Sequence, residues 1–246
     1  MKCQAALLAV LLFAIVACIA CNSSPGRPSP DSEVIPPEQI IEFSVLYASN
    51  CAGCHGSNGN GGAAVSLGDP VFLAIADDAA IRRTAANGVP GTSMPAFAQS
   101  AGGMLTDKQI DAIVSGIRSW AKPDTLRGVN APPYGVEHGG DPHKGADVFA
   151  TYCSSCHGPD GKGGKKASSI VNGSYLALVS DQDLRTNVIV GRPEIGAPDW
   201  RNDVPNRPMS GQEISDVVAW LAAQRPQYPG QPYSKPPVER AAEGLP

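Results

Sequence analysis

Two motifs of the same form constrain this chain more than any other feature: Cys51-Ala52-Gly53-Cys54-His55 and Cys153-Ser154-Ser155-Cys156-His157. In each, two thiols lie one helical turn apart, and a histidine follows the second directly. That arrangement suits covalent attachment of a c-type haem: each thiol forms a thioether to a vinyl group, and the adjacent imidazole faces the iron. A zinc ribbon would bring its second pair of cysteines within about 15 to 20 residues, whereas these pairs are 102 apart, each with its own histidine. A thioredoxin-like redox pair would need a βαβ setting that the sequence does not offer. The cysteine count agrees. Of seven, Cys3, Cys18 and Cys21 lie near the N-terminus and the other four belong to the motifs. The chain is therefore expected to bind two haem c groups through Cys51, Cys54, Cys153 and Cys156.

The motifs sit in a longer repeat. Tyr47 to Gly56 matches Phe149 to Gly158 at an offset of 102 residues, and Asp78 to Arg82 matches Asp181 to Arg185 at 103. Gly88 to Pro90 matches Gly191 to Pro193 at 103, and Thr106 to Val114 matches Ser210 to Val218 at 104. Four ordered points of similarity indicate a duplication. Thr106 with Gln109 and Ser210 with Glu213 read as capping boxes that open helices. Behind them, Ile110, Ile113, Val114 and Ile117, and likewise Ile214, Val217, Val218 and Leu221, follow the spacing of a helix face packed on a core. Weaker helical patterns run over Glu38 to Ser49, Asp77 to Ala86, Lys144 to Thr151 and Ser180 to Val190, and no alternating strand pattern competes. The fold class is all-α, with two small tandem domains at 38–121 and 144–225 joined by a Pro/Gly-rich linker at 122–143. Domains this small bury little surface by themselves, and a flat apolar haem would supply the missing core.

The ends read differently. Lys2 followed by the uncharged apolar run Ala5 to Ala20 resembles an export signal and falls short of the roughly 20 residues that span a bilayer. Small residues precede both Cys18 and Cys21, as in bacterial lipoprotein signals, so either is a candidate for lipidation. Cys18 has the better aliphatic residue three places upstream, and Cys21 leads directly into a polar segment. Residues 1–21 are assigned to this signal peptide, 22–37 to a Pro- and Ser-rich tether, and 226–246 to a Pro-rich disordered tail. The expected location is the periplasmic face of the cytoplasmic membrane, held by a lipid anchor. With a net charge of −4 and no basic run interleaved with aromatics, the chain gives no sign of nucleic-acid binding.

With these motifs in place, the chain resembles the class I c-type cytochromes in their tandem dihaem form. The resemblance covers both repeated blocks. It implies His55 and His157 as proximal iron ligands and a methionine from a loop before the last helix as the second axial ligand. Met94, 39 residues after His55, fits that role better than Met104, which abuts the helix cap. The second block departs from the pattern, because the repeat carries Met94 onto Ala197. Met209, 52 residues after His157, is then the candidate ligand; His138, His143, Lys165 or an open position are the alternatives. Arg82 and Arg185 match across the repeat and are candidates for haem propionates, or else belong to solvated helix faces. Tyr47 and Tyr152 are expected against the haem or the adjoining helix, and Trp120, Trp200 and Trp220 in the core.

The resemblance implies single-electron transfer in a respiratory chain, from a quinol-oxidising complex to a terminal oxidase, as a carrier or as a haem subunit of a complex. Membrane-bound respiratory complexes or soluble cytochromes would be the partners, and no enzyme activity is expected. The runner-up is a dihaem peroxidase or other small-molecule redox enzyme with an open second haem, for which Ala197 is the sequence support.

Overall fold

The computed structural model describes residues 34–226. The expected export signal with Cys18 and Cys21, most of the expected tether and nearly all of the expected C-terminal tail lie outside them. Two units divide the chain, 1–39 and 40–246. The described part of the first holds a 3-10 turn, Pro37–Gln39, closed by the Gln39 amide on the Pro36 carbonyl at 2.8 Å.

The second unit is helical, and among the described residues β-pairing is confined to isolated bridges. Its first block contains α1 (Phe43–Asn50), α2 (Ala52–His55), α3 (Pro70–Ile75), α4 (Asp78–Asn87) and α5 (Asp107–Arg118). The second contains α6 (Pro142–Tyr152), α7 (Ser154–His157), α8 (Gly173–Leu178), α9 (Asp181–Val190) and α10 (Gly211–Ala222). Each block places a 3-10 turn between its fourth and fifth helices, Gln99–Ala101 and Pro193–Ile195. The duplication in sequence is thus a duplication of five helices in the same order.

Local chemistry explains the boundaries. Both expected capping boxes are present at Thr106 and Ser210, with the side chain accepting from the third helical amide and the third side chain reaching back. A further box at Ser180 with Asp183 opens α9. α3 and α8 escaped the sequence reading because six residues are too few to show a period. Asp69 caps α3 through Val71 N at 2.7 Å, and Asn172 caps α8 through Ser174 N at 2.9 Å. α1 begins at Phe43 rather than near Glu38, and the Ile40 carbonyl accepts instead from Gln109 Nε2 at 3.0 Å.

In each block the first helix crosses the last. The apolar faces meet as expected: Ile110, Ile113, Val114, Ile117, Ile214, Val217, Val218 and Leu221 are all buried. Trp120 meets Phe43 and Tyr47 edge-on at 5.2 and 5.0 Å, while Trp220 stacks on Phe149 at 4.4 Å. Trp200 is fully buried, and Trp120 and Trp220 are partly so. The crossings are close enough to exclude a side chain at one position in each. A Cβ on Gly116 would lie 2.0 Å from the Phe43 ring, and one on Gly145 would lie 2.1 Å from the Asp216 carbonyl oxygen.

The Pro/Gly-rich stretch between the blocks is docked on the second. Arg185 donates to the Pro133 carbonyl at 2.9 Å, to the Tyr134 carbonyl at 3.2 Å and to Ser215 Oγ at 3.2 Å. Gln182 adds a bond to the Tyr134 carbonyl at 2.8 Å, and Asp216 accepts the Asp141 amide at 2.8 Å. The Tyr134 ring packs edge-on to Phe72 of the first block at 6.3 Å. The blocks also meet where α3 packs on α9 and where the Ser93 amide donates to the Leu178 carbonyl at 3.4 Å.

Candidate haem sites

Each motif folds as one tight turn following a long helix. In the first, the Cys54 and His55 amides both donate to the Cys51 carbonyl, at 3.2 and 3.0 Å; in the second, Cys156 and His157 donate to Cys153 at the same two distances. The turn sets both thiols of a pair beside the imidazole. All four cysteines are free thiols. Burial, with the neighbouring Cys54 adding to it, pushes Cys51 up to about 11; burial, then the fields of Asp203 and Cys156, pushes Cys153 up to about 12.

The imidazoles are oriented alike. His55 Nδ1 lies 2.7 Å from the Val65 carbonyl oxygen, and His157 Nδ1 lies 2.7 Å from that of Ser168. A carbonyl only accepts, so each Nδ1 carries the proton and each Nε2 keeps a free lone pair, the tautomer a metal ligand needs. Burial holds His55 below the ordinary histidine range, against the opposing effects of the Val65 bond and the charge of Asp183. Two thiols and an Nε2 lone pair on one turn fit a covalently held haem, and both blocks offer that set.

The other halves of the two sites differ. Met94 is half-buried in a loop closed by the Val89 amide on its carbonyl at 3.0 Å, and its own amide donates to Thr92 Oγ1 at 3.1 Å. The matching closure in the second block is the Arg192 amide on the Ala197 carbonyl at 2.9 Å. Met94 and Ala197 are therefore equivalent in space as well as in sequence. Met209 lies elsewhere, buried in the core. Its amide donates to the Trp200 carbonyl at 2.9 Å, as the Leu105 amide does to Phe97 at 2.7 Å, and it immediately precedes the capped helix. It fills the slot that Leu105 fills in the first block. Met104 is exposed.

The two arginines suggested for propionates are committed elsewhere. Arg82 lies on the outer face of α4, paired with Asp107 at 2.8 Å and Asp111 at 2.7 Å on α5. Arg185 is buried and spends its donors on the linker carbonyls and Ser215. Tyr47 and Tyr152 are buried against their own blocks: Tyr47 donates to the Gly56 carbonyl at 3.0 Å, and Tyr152 to Glu213 at 3.3 Å.

Sequence reasoning missed Asp203. It lies in the loop between Trp200 and Met209, close enough to Cys153 to raise that thiol. Among the described residues it has neither a hydrogen bond nor an ion pair. Burial, and then the charge of Asp199, push its carboxyl up to about 7. The first block has no carboxylate between Gln99 and Leu105, so the repeat gave no signal for it.

The family model for cytochrome c oxidase, cbb3-type, subunit III matches residues 38–115, and that for cytochrome c matches 142–224. The cbb3-type cytochrome c oxidase subunit FixP of Sinorhizobium medicae is 32% identical over 54% of this chain and 46% of its own length. FixP of Rhizobium meliloti is 30% identical over 73% of the chain and 62% of its own length. The cytochrome bc1 complex cytochrome c subunit of Mycobacterium tuberculosis is 26% identical over 75% of the chain and 64% of its own length. The chain thus spans about half to two thirds of these relatives.

Proposed function

Because its described part holds two cytochrome c domains in tandem, the chain belongs to the cytochrome c family, and from that membership we propose that it carries single electrons between respiratory membrane complexes. One observation carries the proposal: both blocks build the same proximal site, with paired thiols and an imidazole whose Nδ1 is held by a backbone carbonyl. A bound haem supplies one-electron iron chemistry there. Cys51, Cys54, His55 and Met94 would hold the first haem. Cys153, Cys156 and His157 would hold the second, joined by Met209 if it leaves the core slot that matches that of Leu105 in the first block. The protein's part is to orient the imidazoles, keep water from the buried turn and set the potentials.

The relatives named as oxidase and bc1-complex subunits support a quinol-oxidising complex and a terminal oxidase as partners. Among the described residues no helix is long and apolar enough to cross a membrane. Attachment to the periplasmic face through lipid on Cys18 or Cys21 completes the proposal. In the test, purified full-length protein is expected to hold two covalent haems, both low-spin. Isolated membranes of the source cells should reduce it with quinol and reoxidise it with oxygen. Failure of both transfers would remove the respiratory role.

A second reading has its own observation. Ala197 replaces the expected donor, Met209 sits in the core, and the Asp203 carboxyl lies close enough to the second site to act on Cys153. That combination suits a peroxidase or other small-molecule redox enzyme with an open second haem. Carbon monoxide binding to one of the two reduced haems would select it.

A further inference from the structure

The loop that lost its methionine is gripping the other domain. In the first block the loop Gly88 to Phe97 carries Met94; its counterpart, Gly191 to Trp200, carries Arg192 and Glu194 where the first block has Val89 and Gly91. Arg192 Nη2 donates to the Gly62 carbonyl of the first block at 2.7 Å. Its Nε pairs with Glu194 Oε1 at 2.5 Å, and that oxygen accepts from Ser66 Oγ at 3.5 Å. The pair is more enclosed than the surface pairs: the two side chains are 20% and 27% exposed, against 41% and 74% for Arg82 and Asp107. Ser66 is buried.

Gly62 and Ser66 are the two ends of a short strap. Within it, the Ala64 amide donates to the Cys54 carbonyl at 2.9 Å, and the Val65 carbonyl accepts from His55 Nδ1 at 2.7 Å. The strap lies so close to the motif that a Cβ on Gly62 would sit 2.1 Å from the Cys54 carbonyl oxygen. The second block has its own strap, whose Ser168 carbonyl lies 2.7 Å from His157 Nδ1, yet among the described residues no side chain of the first block bonds it. The grip runs one way.

We propose that Arg192 and Glu194 are positioning residues for the proximal ligand of the first haem, acting across the domain boundary by clamping the 62–66 strap. The Nδ1 bond to a carbonyl makes an imidazole a more basic ligand and favours the oxidised iron. The second domain thereby holds down the potential of the first haem, and the site's redox setting depends on the two domains being docked. This rests on the reading of His55 as a haem ligand.

The test uses the full-length holoprotein and a redox titration that resolves both haems, with Met94→Ala identifying the potential of the first. The double variant Arg192→Ala/Glu194→Ala removes one charge of each sign, so it isolates position from field. The first potential is expected to rise and the second to stay. Ser66→Ala, a neutral change on the other side of the contact, should raise it less. The proton resonance on Nδ1 of His55 should exchange faster in both variants, and Arg192→Lys with Glu194 intact should restore part of the shift. The sign is diagnostic, since loss of the Arg192 charge alone would lower the potential. An unchanged or lowered first potential in the double variant, or equal movement of both, overturns the proposal. A wild-type protein with no haem on Cys51 and Cys54 overturns it by a separate route, through the reading beneath it.

Discussion

The two candidate haem sites are alike on one side and unlike on the other. Their proximal halves share a one-turn motif, two amides on the first cysteine's carbonyl, and an Nδ1 bond of 2.7 Å to a strap carbonyl. Their distal halves share only a loop closure, which presents Met94 in one and Ala197 in the other. The difference follows from range. Local backbone bonds fix the proximal half, so a copied sequence copies the geometry. The distal half as proposed would depend on one side chain in a surface loop, and no backbone bond of the loop closure requires that side chain to be methionine. In the second block the loop without the methionine is the one that contacts Gly62 and Ser66.

The helix crossings beneath the sites offer the largest way to break the comparison. Gly116 and Gly145 both stand at close contacts, but a methyl group at Gly116 meets Cγ and Cδ2 of Phe43, a side chain that can swing about its Cα–Cβ bond, whereas at Gly145 it meets the backbone oxygen of Asp216. Gly145→Ala is expected to destabilise the second domain by about 3 kcal/mol or more, and Gly116→Ala to cost the first less, on the order of 1 to 3 kcal/mol. Denaturant unfolding followed at the haems checks the ranking; equal losses would mean that the second crossing is as pliable as the first.

Asp203 gives a medium-sized contrast that depends on pH. Its folded-state pKa is raised to about 7, mainly by burial. The protonated form is therefore favoured in the fold. The penalty for ionising it is absent below the ordinary carboxylate range, grows as pH rises, and is complete above 7. Asp203→Asn should match the parent in thermal stability near pH 4 and exceed it at pH 8, by on the order of 2 kcal/mol. The first block, with no carboxylate in that loop, should show no comparable rise when its loop residue Ser100 is changed to Asn. A parent and variant that track each other from pH 4 to 8 would remove the contrast.

Much of this was legible in the sequence because it is periodic or short-range. The two motifs, the capped helices α5 and α10 and their buried faces all follow from spacing within a dozen residues. What was not legible depends on partners far along the chain. Arg82 and Arg185 align in the repeat, yet one pairs with aspartates on α5 and the other fastens the linker. The reverse also occurs. Arg118, inside α5, binds Asp78 at 2.6 Å and the Ala76 carbonyl at 2.7 Å. Arg225, beyond the end of α10, binds Asp181 at 2.5 Å and the Val179 carbonyl at 3.0 Å. They do the same job from positions that do not align, because a long side chain can reach one target from two starting points.

Met209 sharpens the comparison with the smallest disturbance. In the slot that Leu105 occupies, it acts as an apolar filler, and leucine should fill that slot at a cost below about 1.5 kcal/mol. Met209→Leu therefore leaves packing nearly intact while removing the block's only thioether. If Met209 binds the second iron, the methionine–iron charge-transfer band should fall by half in the oxidised protein and the second potential should drop, since a thioether favours the reduced state. Met94→Leu should do the same to the first haem, and the two changes should add. A band unchanged by Met209→Leu but abolished by Met94→Leu would leave the second iron without any thioether. The asymmetry between the domains would then extend from the loops to the metal, and Asp203 would stand beside an iron with a coordination position open to a small molecule.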